Sequence, residues 1–343
     1  MISLIIPTTS KNKQYTDNIV SNIRSLYPNE TEVEIIVETN DSVTLGENYN
    51  NAVARANGEK IILLHNDMVI PKGFIEQMDK HISANRITTY TRIEPPIYTD
   101  IYPGKKLLDC GSSIETFNSE KFLEITVHES LEDGGSQLFF GCMRNDYIGI
   151  DGNTFQMFCE DDDLHRRYKL LGFEHKVSSA FVYHFVSKTS RADESYKLIE
   201  LASNRNYIRK WGTKSDAPKY NIGIQVTNCT LPILDLLEPY CDRIYIDDEM
   251  QVITSHYIDT EQQKTKFDLT KRVMTTVYNN PRDYDDIVVE VDAKRMSQQD
   301  AAYIFMLPNI IQESGEVGTF RLGNLQITIN HLETYEKNLI KCS

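Results

Sequence analysis

The stretch Phe158-Cys-Glu-Asp-Asp-Asp-Leu-His-Arg-Arg-Tyr-Lys-Leu-Leu-Gly172 joins a run of four acids to a helical apolar pattern. Leu164, Tyr168 and Leu171 are spaced at i, i+4 and i+7, which predicts a short helix with one apolar face. The stretch ends in a glycine, the residue that most often adopts the left-handed conformation after a helix. The acids at positions 160 to 163 fall where the helix dipole stabilises carboxylates, and one acid would be enough to cap the helix. Because four adjacent acids repel one another, the run as a whole indicates chemistry rather than capping alone.

Around this stretch, short apolar runs alternate with helical patterns. Strands that alternate with helices predict a doubly wound α/β sheet, and ligands of such sheets bind beyond the carboxyl ends of the strands. The polar residues at those ends, Thr8, Glu38 and His65-Asn66-Asp67, are therefore the first candidates for a site. Residues 86–135 show no sustained period and receive no prediction. The predicted strands are 3–7, 33–37, 60–64, 138–141 and 177–185, and the predicted helices are 15–26, 46–57, 71–84, 160–171 and 196–211.

Length and composition restrict the classes of protein to which the chain can belong. Its 343 residues are long for one domain and comfortable for two. The net charge of −14 excludes wholesale non-specific binding to nucleic acid, which needs a basic surface. No apolar run has the length of a membrane span, and the opening residues lack the features of a signal peptide. The six cysteines show no Cys-x-x-Cys pair, so we expect reduced thiols and a cytoplasmic location.

Several segments, in this order and spacing, resemble an inverting family 2 glycosyltransferase of the GT-A fold over about residues 1–212. The resemblance implies a GT-A-type doubly wound mixed sheet, followed by a second, smaller α/β domain. Where the family has an Asp-x-Asp metal motif, this chain has His65-Asn66-Asp67, so only the last carboxylate of the motif remains. The segments are the strand at 3–8, the helix from Gly46 to Glu59 with Asn50, Ala52, Ala56 and Gly58, the His65-Asn-Asp67 motif, Glu160-Asp-x-Asp-Leu164 with Arg167 and Gly172, Val182-Tyr-His184-Phe-Val-Ser187, and Asn204 to Gly212.

The resemblance implies a metal-dependent transfer of a sugar from a nucleotide-sugar donor, with a UDP sugar expected. Asp67 and His184 would hold Mn²⁺ or Mg²⁺, which would neutralise charge on the departing pyrophosphate. Inversion needs one base that takes the proton of the acceptor hydroxyl, and the motif assigns this role to Asp161. Asp163 would orient or bind the acceptor, and Glu160 completes the catalytic set.

The same resemblance assigns donor binding to a set of polar residues near the strand ends and the histidine segment. Thr8 and Glu38 would line the pocket of the nucleotide base, by analogy of fold. Residues 188–219 hold eight Lys or Arg against four Asp or Glu, which suits phosphate contacts but equally suits a solvated helix face. The predicted donor-binding residues are Thr8, Glu38, Asn50, Asn66, Asp67, Ser187, Lys188 and Arg191.

A polar, proline-containing segment at 213–219 predicts a boundary between domains 1–215 and 220–343. The second domain has strand candidates at 222–226, 243–246, 286–291 and 325–329, separated by helical patterns. Its strand ends faintly resemble Rossmann-like methyltransferases, but no Gly-x-Gly loop follows its first strand. An accessory role as scaffold, acceptor-binding unit or dimerisation unit is therefore predicted.

Three alternatives for function remain open from the sequence. The acceptor is expected to be a saccharide or glycan. A hydroxymethylated DNA base is the second possibility, and a flipped base would then need a basic rim supplied by Arg86, Arg92, Lys105, Lys106 and residues 188–219. The third is a GT-A-shaped binding module without turnover, which the complete acidic motif disfavours. The oligomeric state is not predicted.

Overall fold

The structure, a computed structural model, describes residues 1–28, 32–135, 138–186, 195–277 and 279–341, apart from the side chain of Arg282. Two compact units, residues 1–199 and 200–341, each enclose an apolar core. Across the described residues, no helix is long and apolar enough to cross a membrane. The described cysteines are all free thiols, as predicted, while the cytoplasmic location stays a prediction.

The first unit follows the predicted alternation of strands and helices. Its strands are β1 (Ile2–Thr8), β2 (Val33–Thr39), β3 (Lys60–Leu63), β4 (Met68–Val69), β5 (Arg86–Glu94), β6 (Lys105–Leu107), β7 (Leu131–Asp133), β8 (Phe140–Met143) and β9 (Glu174–His184). Its helices are α1 (Lys13–Leu26), α2 (Leu45–Arg55), α3 (Phe74–His81), α4 (Ser119–Leu123) and α5 (Glu160–Leu170), and α6 (Tyr196–Trp211) begins in it.

These strands form one mixed sheet in the order β2-β1-β3-β8-β5-β9-β4, with β6 beside β5 and β7 beside β9. Strand β1 runs parallel to β2 and β3, and β5 runs parallel to β9. Strand β8 is antiparallel to both of its neighbours, which makes the sheet mixed, as predicted. Every residue of β1 is buried, which explains why its sequence is mostly apolar.

Strand β5 lies in the interior of the sheet, although its sequence falls in the stretch that received no prediction. Its residues are almost all buried, yet many of them are polar, so no apolar period marks the strand. Two of its three threonine hydroxyls bond to backbone instead of water: Thr88 donates to the carbonyl of His81 at 3.2 Å, and Thr91 to that of Ser178 at 2.9 Å. Satisfied polar groups allow a buried strand that hydrophobicity cannot reveal.

Helix α5 forms as predicted and packs its apolar side against the sheet. Leu164 and Tyr168 are fully buried in the same core as β3 and β8. Leu171 was predicted on the same face, but it follows the helix and is 44% exposed. Gly172 has a φ of 78°, the left-handed conformation predicted for the residue that ends the helix.

The second unit is a smaller α/β fold, and its four predicted strands are all present. Its sheet has the order β12-β11-β10-β13-β15-β14, with a parallel part from β12 to β13 and an antiparallel hairpin at the other edge. The strands are β10 (Ile222–Thr227), β11 (Arg243–Ile246), β12 (Val273–Thr275), β13 (Ile287–Asp292), β14 (Gly318–Leu322) and β15 (Leu325–Ile329), and the helices are α7 (Leu231–Leu237), α8 (Val252–Glu261), α9 (Gln298–Phe305) and α10 (Leu307–Ser314).

The two compact units divide inside helix α6, between residues 199 and 200, upstream of the predicted boundary. The later turns of α6 belong to the second unit because their arginines pair with acids of that unit. Arg209 Nη2 lies 2.7 Å from Glu238 Oε2 and 3.0 Å from Glu261 Oε1, and all three side chains are buried. Arg205 Nε also lies 3.0 Å from Glu261. The domains 1–215 and 220–343 stay a prediction.

Candidate active site

Three side chains with metal-binding atoms meet where β4 pairs with β9. His65 and Asp67 lie on the connection between β3 and β4, and His184 is the last residue of β9. The antiparallel register places Met68 opposite His184, and the amide of Phe185 donates to the Asp67 carbonyl at 3.0 Å. One ligand atom from each of the three side chains lies within 4.8 Å of the others. This pairing therefore joins a segment near residue 66 to one near residue 184.

His65 was not predicted as a ligand, because it was counted only as the loss of the motif's first carboxylate. Its ring packs on Phe139, with centroids 4.5 Å apart, and lies 5.7 Å from the ring of His184. Its buried Nε2 has no hydrogen-bond partner within the described part of the chain. Burial, followed by the charge of His184, lowers the pKa of His65 to about 4, so its ring is neutral at pH 7. A neutral imidazole offers a lone pair to a cation. Because histidine is a common metal ligand, its presence in the motif could have led to the prediction of His65 as a ligand.

His184 is held between two carboxylates. Its Nε2 lies 3.3 Å from Asp67 Oδ1, and its Nδ1 lies 2.8 Å from Glu94 Oε1. Burial alone would lower the pKa of His184, but Asp67 and Glu94 outweigh that effect and raise it to about 9. Glu94 was not predicted as a site residue because it is the last residue of β5, a strand in the stretch that received no prediction. Burial would raise the pKa of Glu94, but the hydrogen bond and charge of His184, helped by Arg92 and Lys105, hold it below its usual range.

This donor set fits a divalent cation. The side chains of Asp67 and His184 are buried, at 1% and 8% exposed, and a buried carboxylate needs a cationic or hydrogen-bonding partner. Two imidazole nitrogens with one carboxylate oxygen suit a first-row transition ion such as Mn²⁺ better than Mg²⁺, which prefers oxygen ligands. His65, Asp67 and His184 are thus the residues that could hold the ion.

The acidic run begins helix α5 after two residues in an unusual conformation. Phe158 and Cys159 have φ angles of 68° and 63°, in the left-handed region that non-glycine residues rarely occupy. Asp161 is half-buried, while its neighbour Asp162 is exposed and donates its amide to Asp161 Oδ1 at 3.0 Å. Glu160 is 6% exposed. Asp161 is thus the acid of this run that combines partial access with partial burial.

Burial sets the protonation of the first two acids. It raises the pKa of Glu160 well above the usual range, and the charge of Asp161 adds to the effect. Burial also raises the pKa of Asp161, whereas the Asp162 amide and the charge of Arg92 oppose that rise. The charge of Arg92 acts on His65 and Glu94 as well. Arg92 therefore links the electrostatics of the helix start to those of the metal-binding group.

Asp163, predicted to bind or orient the acceptor, lies in the core. Its side chain is fully buried, and its Oδ2 accepts a hydrogen bond from Arg167 Nε at 2.7 Å. Arg167 in turn donates through Nη2 to the carbonyl of Gly149 at 2.8 Å. This arrangement ties the first turn of α5 to the preceding loop, and it places the carboxylate where no acceptor can reach it.

The polar residues predicted to contact the donor are mostly engaged with the protein. Thr8 Oγ1 lies 2.6 Å from Thr16 Oγ1 and accepts from Asn66 Nδ2 at 3.0 Å, so Thr8 and Asn66 fix the connection that carries Asp67. Glu38 pairs with Arg55. These contacts assign Thr8 and Asn66 a supporting position beside the metal-binding group.

Asn50 joins helix α2 to the loop before α5. Its Nδ2 donates to the Ile150 carbonyl at 2.8 Å, and its Oδ1 accepts from the Ile150 amide at 2.9 Å and from the Tyr147 hydroxyl at 2.8 Å. These bonds use both ends of the amide. Asn50 therefore helps to hold the loop before α5, and its role in donor binding stays a prediction.

Residues 11–112 match the family described as glycosyl transferase family 2. This stretch is the part of the chain that is similar to family 2 glycosyltransferases. This match and the mixed α/β sheet confirm the resemblance and the GT-A fold class predicted from the sequence. A comparison with curated proteins gives no match. Among solved structures, the crystal structure of S. aureus TarS is similar at 13% identity with a TM-score of 0.35, and the alignment covers 60% of this chain and 42% of that chain.

The family 2 segment carries only part of the candidate site. His65, Asp67 and Glu94 lie inside it, whereas Asp161 and His184 lie downstream of residue 112. The pairing of β4 with β9 brings the downstream histidine back to the segment. The predicted phosphate contacts Ser187, Lys188 and Arg191 lie outside the described residues.

The basic residues proposed for a DNA rim are mostly buried or paired. Arg92 and Lys105 are 5% and 4% exposed, and each lies near Glu94, at 3.6 and 3.5 Å. Arg86 pairs with Glu174, whose Oε2 accepts from Arg86 Nε at 2.9 Å. Buried and paired cations are poorly placed to contact a phosphate backbone, whereas Lys106 is exposed, so Arg92 and Lys105 do not support the predicted rim.

Proposed function

We propose that the chain is a metal-dependent, inverting glycosyltransferase. It would transfer a sugar from a nucleotide-sugar donor, with a UDP sugar expected, to a hydroxyl of a saccharide acceptor. The observation that carries the proposal is the convergence of His65, Asp67 and His184 beside a segment of family 2. The acidic start of α5 supplies the second half of the machinery.

His65, Asp67 and His184 would hold the ion, with Mn²⁺ preferred over Mg²⁺ because two of the three donors are imidazoles. When bound, a divalent cation supplies positive charge to the pyrophosphate that leaves the sugar. Thr8 and Asn66 keep the connection between β3 and β4 in place, so that Asp67 faces His184. Phe139 packs on both imidazole rings, with centroids 4.5 and 5.4 Å away, and limits their rotation.

Asp161 is the proposed base. Its carboxylate would accept the proton of the acceptor hydroxyl as that oxygen attacks the sugar from the face opposite the leaving group. Burial raises the pKa of Asp161, which makes the carboxylate a stronger base, while Arg92 and the Asp162 amide keep part of the charge stabilised. A catalytic base works best when its pKa lies near the operating pH, and burial moves the pKa of Asp161 upward, in that direction.

Glu160 and Asp163 take supporting roles in this proposal. Asp163 is neutralised by Arg167, and Glu160 is buried beneath the start of the helix. Both therefore set the position of α5 and hence of Asp161. This assignment narrows the predicted catalytic set from three acids to one.

A saccharide acceptor is favoured over a DNA base. The buried, paired state of Arg92 and Lys105 removes cations that a flipped base and its flanking phosphates would need. The overall charge of −14 points the same way. Sugar hydroxyls require no basic rim.

The proposal is tested by incubating the full chain with a panel of nucleotide sugars, Mn²⁺ and saccharide acceptors. We expect transfer to one class of acceptor, loss of transfer with EDTA and its return with Mn²⁺. The anomeric configuration of the product, read by NMR, should be opposite to that of the donor. Transfer that survives metal removal, or a product that retains the donor configuration, would contradict the proposal.

A further inference from the structure

We propose that Glu94 is a positioning residue that fixes which ring nitrogen of His184 faces the metal ion. The inference rests on the proposed metal site. Glu94 is the last residue of β5, and His184 is the last residue of the parallel neighbour β9. Their contact, at 2.8 Å between Oε1 and Nδ1, lies on the side of the ring away from Asp67. A carboxylate at this distance accepts the Nδ1–H, which leaves Nε2 as the metal-binding atom.

Glu94 can act as a fixed acceptor because its own carboxylate is held from several sides. Lys105 Nζ lies 3.5 Å from Oε2, and Arg92 Nη1 lies 3.6 Å from Oε1. Arg92 is itself stacked over the ring of Phe139, at 3.9 Å from the centroid, and donates to the Tyr102 hydroxyl at 2.7 Å. Glu94 is 4% exposed, so water does not compete for its oxygens.

These contacts also explain why Glu94 is placed behind the site and not among the ligands. One oxygen faces His184, and the other faces the buried ammonium of Lys105. To bind the metal ion itself, Glu94 would have to lose its contacts with both His184 and Lys105. The carboxylate therefore orients His184 and increases the basicity of its ring, as outer carboxylates do for metal-binding histidines.

The first experiment needs no substitution. Full-length protein with ¹⁵N-labelled histidine is loaded with Zn²⁺, a diamagnetic probe, and the His184 ring is followed by long-range ¹H–¹⁵N NMR, assigned with His184→Gln. We expect a protonated Nδ1 and a metal-bound Nε2. A metal-bound Nδ1 would overturn the inference, and a His184 ring that does not respond to Zn²⁺ would overturn the proposed metal site instead.

The second experiment measures Mn²⁺ affinity by the EPR signal of the free ion. We expect Glu94→Gln to weaken binding about 10-fold and Glu94→Ala about 100-fold, the range typical for loss of an outer partner. Asp100→Asn is the matched control, since Asp100 pairs with the same Lys105, at 3.2 Å, and lies outside the ring contact. Equal affinity for wild type and both Glu94 variants would refute the positioning role, as would an equal loss in Asp100→Asn. Absence of Mn²⁺ binding in the wild type would refute the proposed function.

Discussion

The carboxyl ends of the parallel strands carry polar residues in both units, but the two sets do different things. In the first unit, His65, Asp67 and His184 point their ligand atoms at one another. In the second unit, Asp247 accepts from the amides of Asn228 and Cys229 at 2.6 and 3.1 Å. The Asn228 side chain in turn donates to Asp292 at 2.9 Å.

The difference shows how polar residues that form a candidate site differ from polar residues that only stabilise the loop after a strand. After β10, the backbone amides that could bind an anionic ligand already donate to the carboxylate of Asp247. The neighbouring Asp248 accepts from the amides of Val252 and Thr254 at the start of α8. Polar residues at strand ends therefore indicate a site only where the local backbone does not use them. The accessory role of the second domain stays a prediction.

The largest expected effect concerns Asp161, the proposed base in the first unit. Asp161→Asn should slow sugar transfer by about 10²- to 10⁴-fold, because an amide cannot take the proton of the acceptor. Donor affinity, measured by calorimetry, should stay near the wild-type value. The exposed neighbour supplies the control, and Asp162→Asn should transfer at the normal rate. Near-normal turnover in Asp161→Asn would move the base elsewhere.

The second prediction asks whether the two units are separable. Burial would raise the pKa of Glu238, but the charges of Arg272 and Arg209 outweigh the effect of burial and lower this pKa to about 2. Glu238→Gln removes the carboxylate that Arg272 and Arg209 share, although Arg209 keeps Glu261, and should lower the free energy of unfolding by about 3–5 kcal/mol in urea titrations. Asp268→Asn, in an exposed pair with Lys271, serves as the control and should change it little.

If the units are separate domains, Mn²⁺ binding by the first unit should survive Glu238→Gln. Loss of metal binding together with the second unit would show one cooperative fold. The predicted domains 1–215 and 220–343 would then be wrong.

The third prediction tests whether His65, which was not predicted from the sequence, is a metal ligand. His65→Ala removes one of three proposed ligands and should weaken Mn²⁺ binding by about 100-fold or more, beyond the loss typical for an outer partner. EPR titration measures the affinity. Substitution of the exposed His128 by alanine controls for adventitious binding to surface histidines. Unchanged affinity in His65→Ala would restrict the site to Asp67 and His184.

The fourth prediction concerns pH. The folded state holds the Glu160 proton to a higher pH than the unfolded state does, so stability should fall as pH rises above about 4.5. Glu160→Gln cannot ionise and should be more stable than the wild type at pH 9 by about 1–3 kcal/mol, with little difference at pH 4. Urea titrations at both pH values measure this. Parallel stability curves for the two proteins would contradict a protonated Glu160.

The smallest effect is expected in the second unit. Asp247→Asn should leave Mn²⁺ binding and transfer unchanged and reduce stability by about 1 kcal/mol, as loss of a capping carboxylate does. Thermal melting and the transfer assay measure the two quantities. A strong loss of transfer would mean that this strand end takes part in the reaction, and the contrast between the units would fail.

The sequence predicted the elements whose apolar period is visible. Strands β1, β3 and β9 and helix α5 all appear where expected, since their buried faces are apolar. Strand β5 was not predicted because threonine, arginine and glutamate are interspersed with its buried Ile87, Tyr90 and Ile93, so that its sequence shows no apolar period. Glu94 escaped with it.

The structure brings together two of the residues that the motifs predicted, while their role in a site stays a prediction. Asp67 and His184 were predicted as a pair and lie 3.3 Å apart. His65 precedes Asp67 by two residues, and it was missed because the motif at this position has a carboxylate in the family and the histidine was counted only as its loss. Asn50 and Asp163 fit their motifs equally well, yet their hydrogen bonds turn them inward.

The left-handed residues beside the site have a consequence for the energetics of the fold. Phe158 and Cys159 precede the acidic run, and Val186, with a φ of 61°, lies two residues after His184. Each such residue costs about 1–2 kcal/mol relative to a relaxed backbone. The contacts around them must outweigh that cost: the rings of Phe158 and Tyr196 lie 6.2 Å apart, and Val186 is 8% exposed. The backbone on both sides of the site is thus a store of conformational energy, held in place by packing that an unstrained loop would not require.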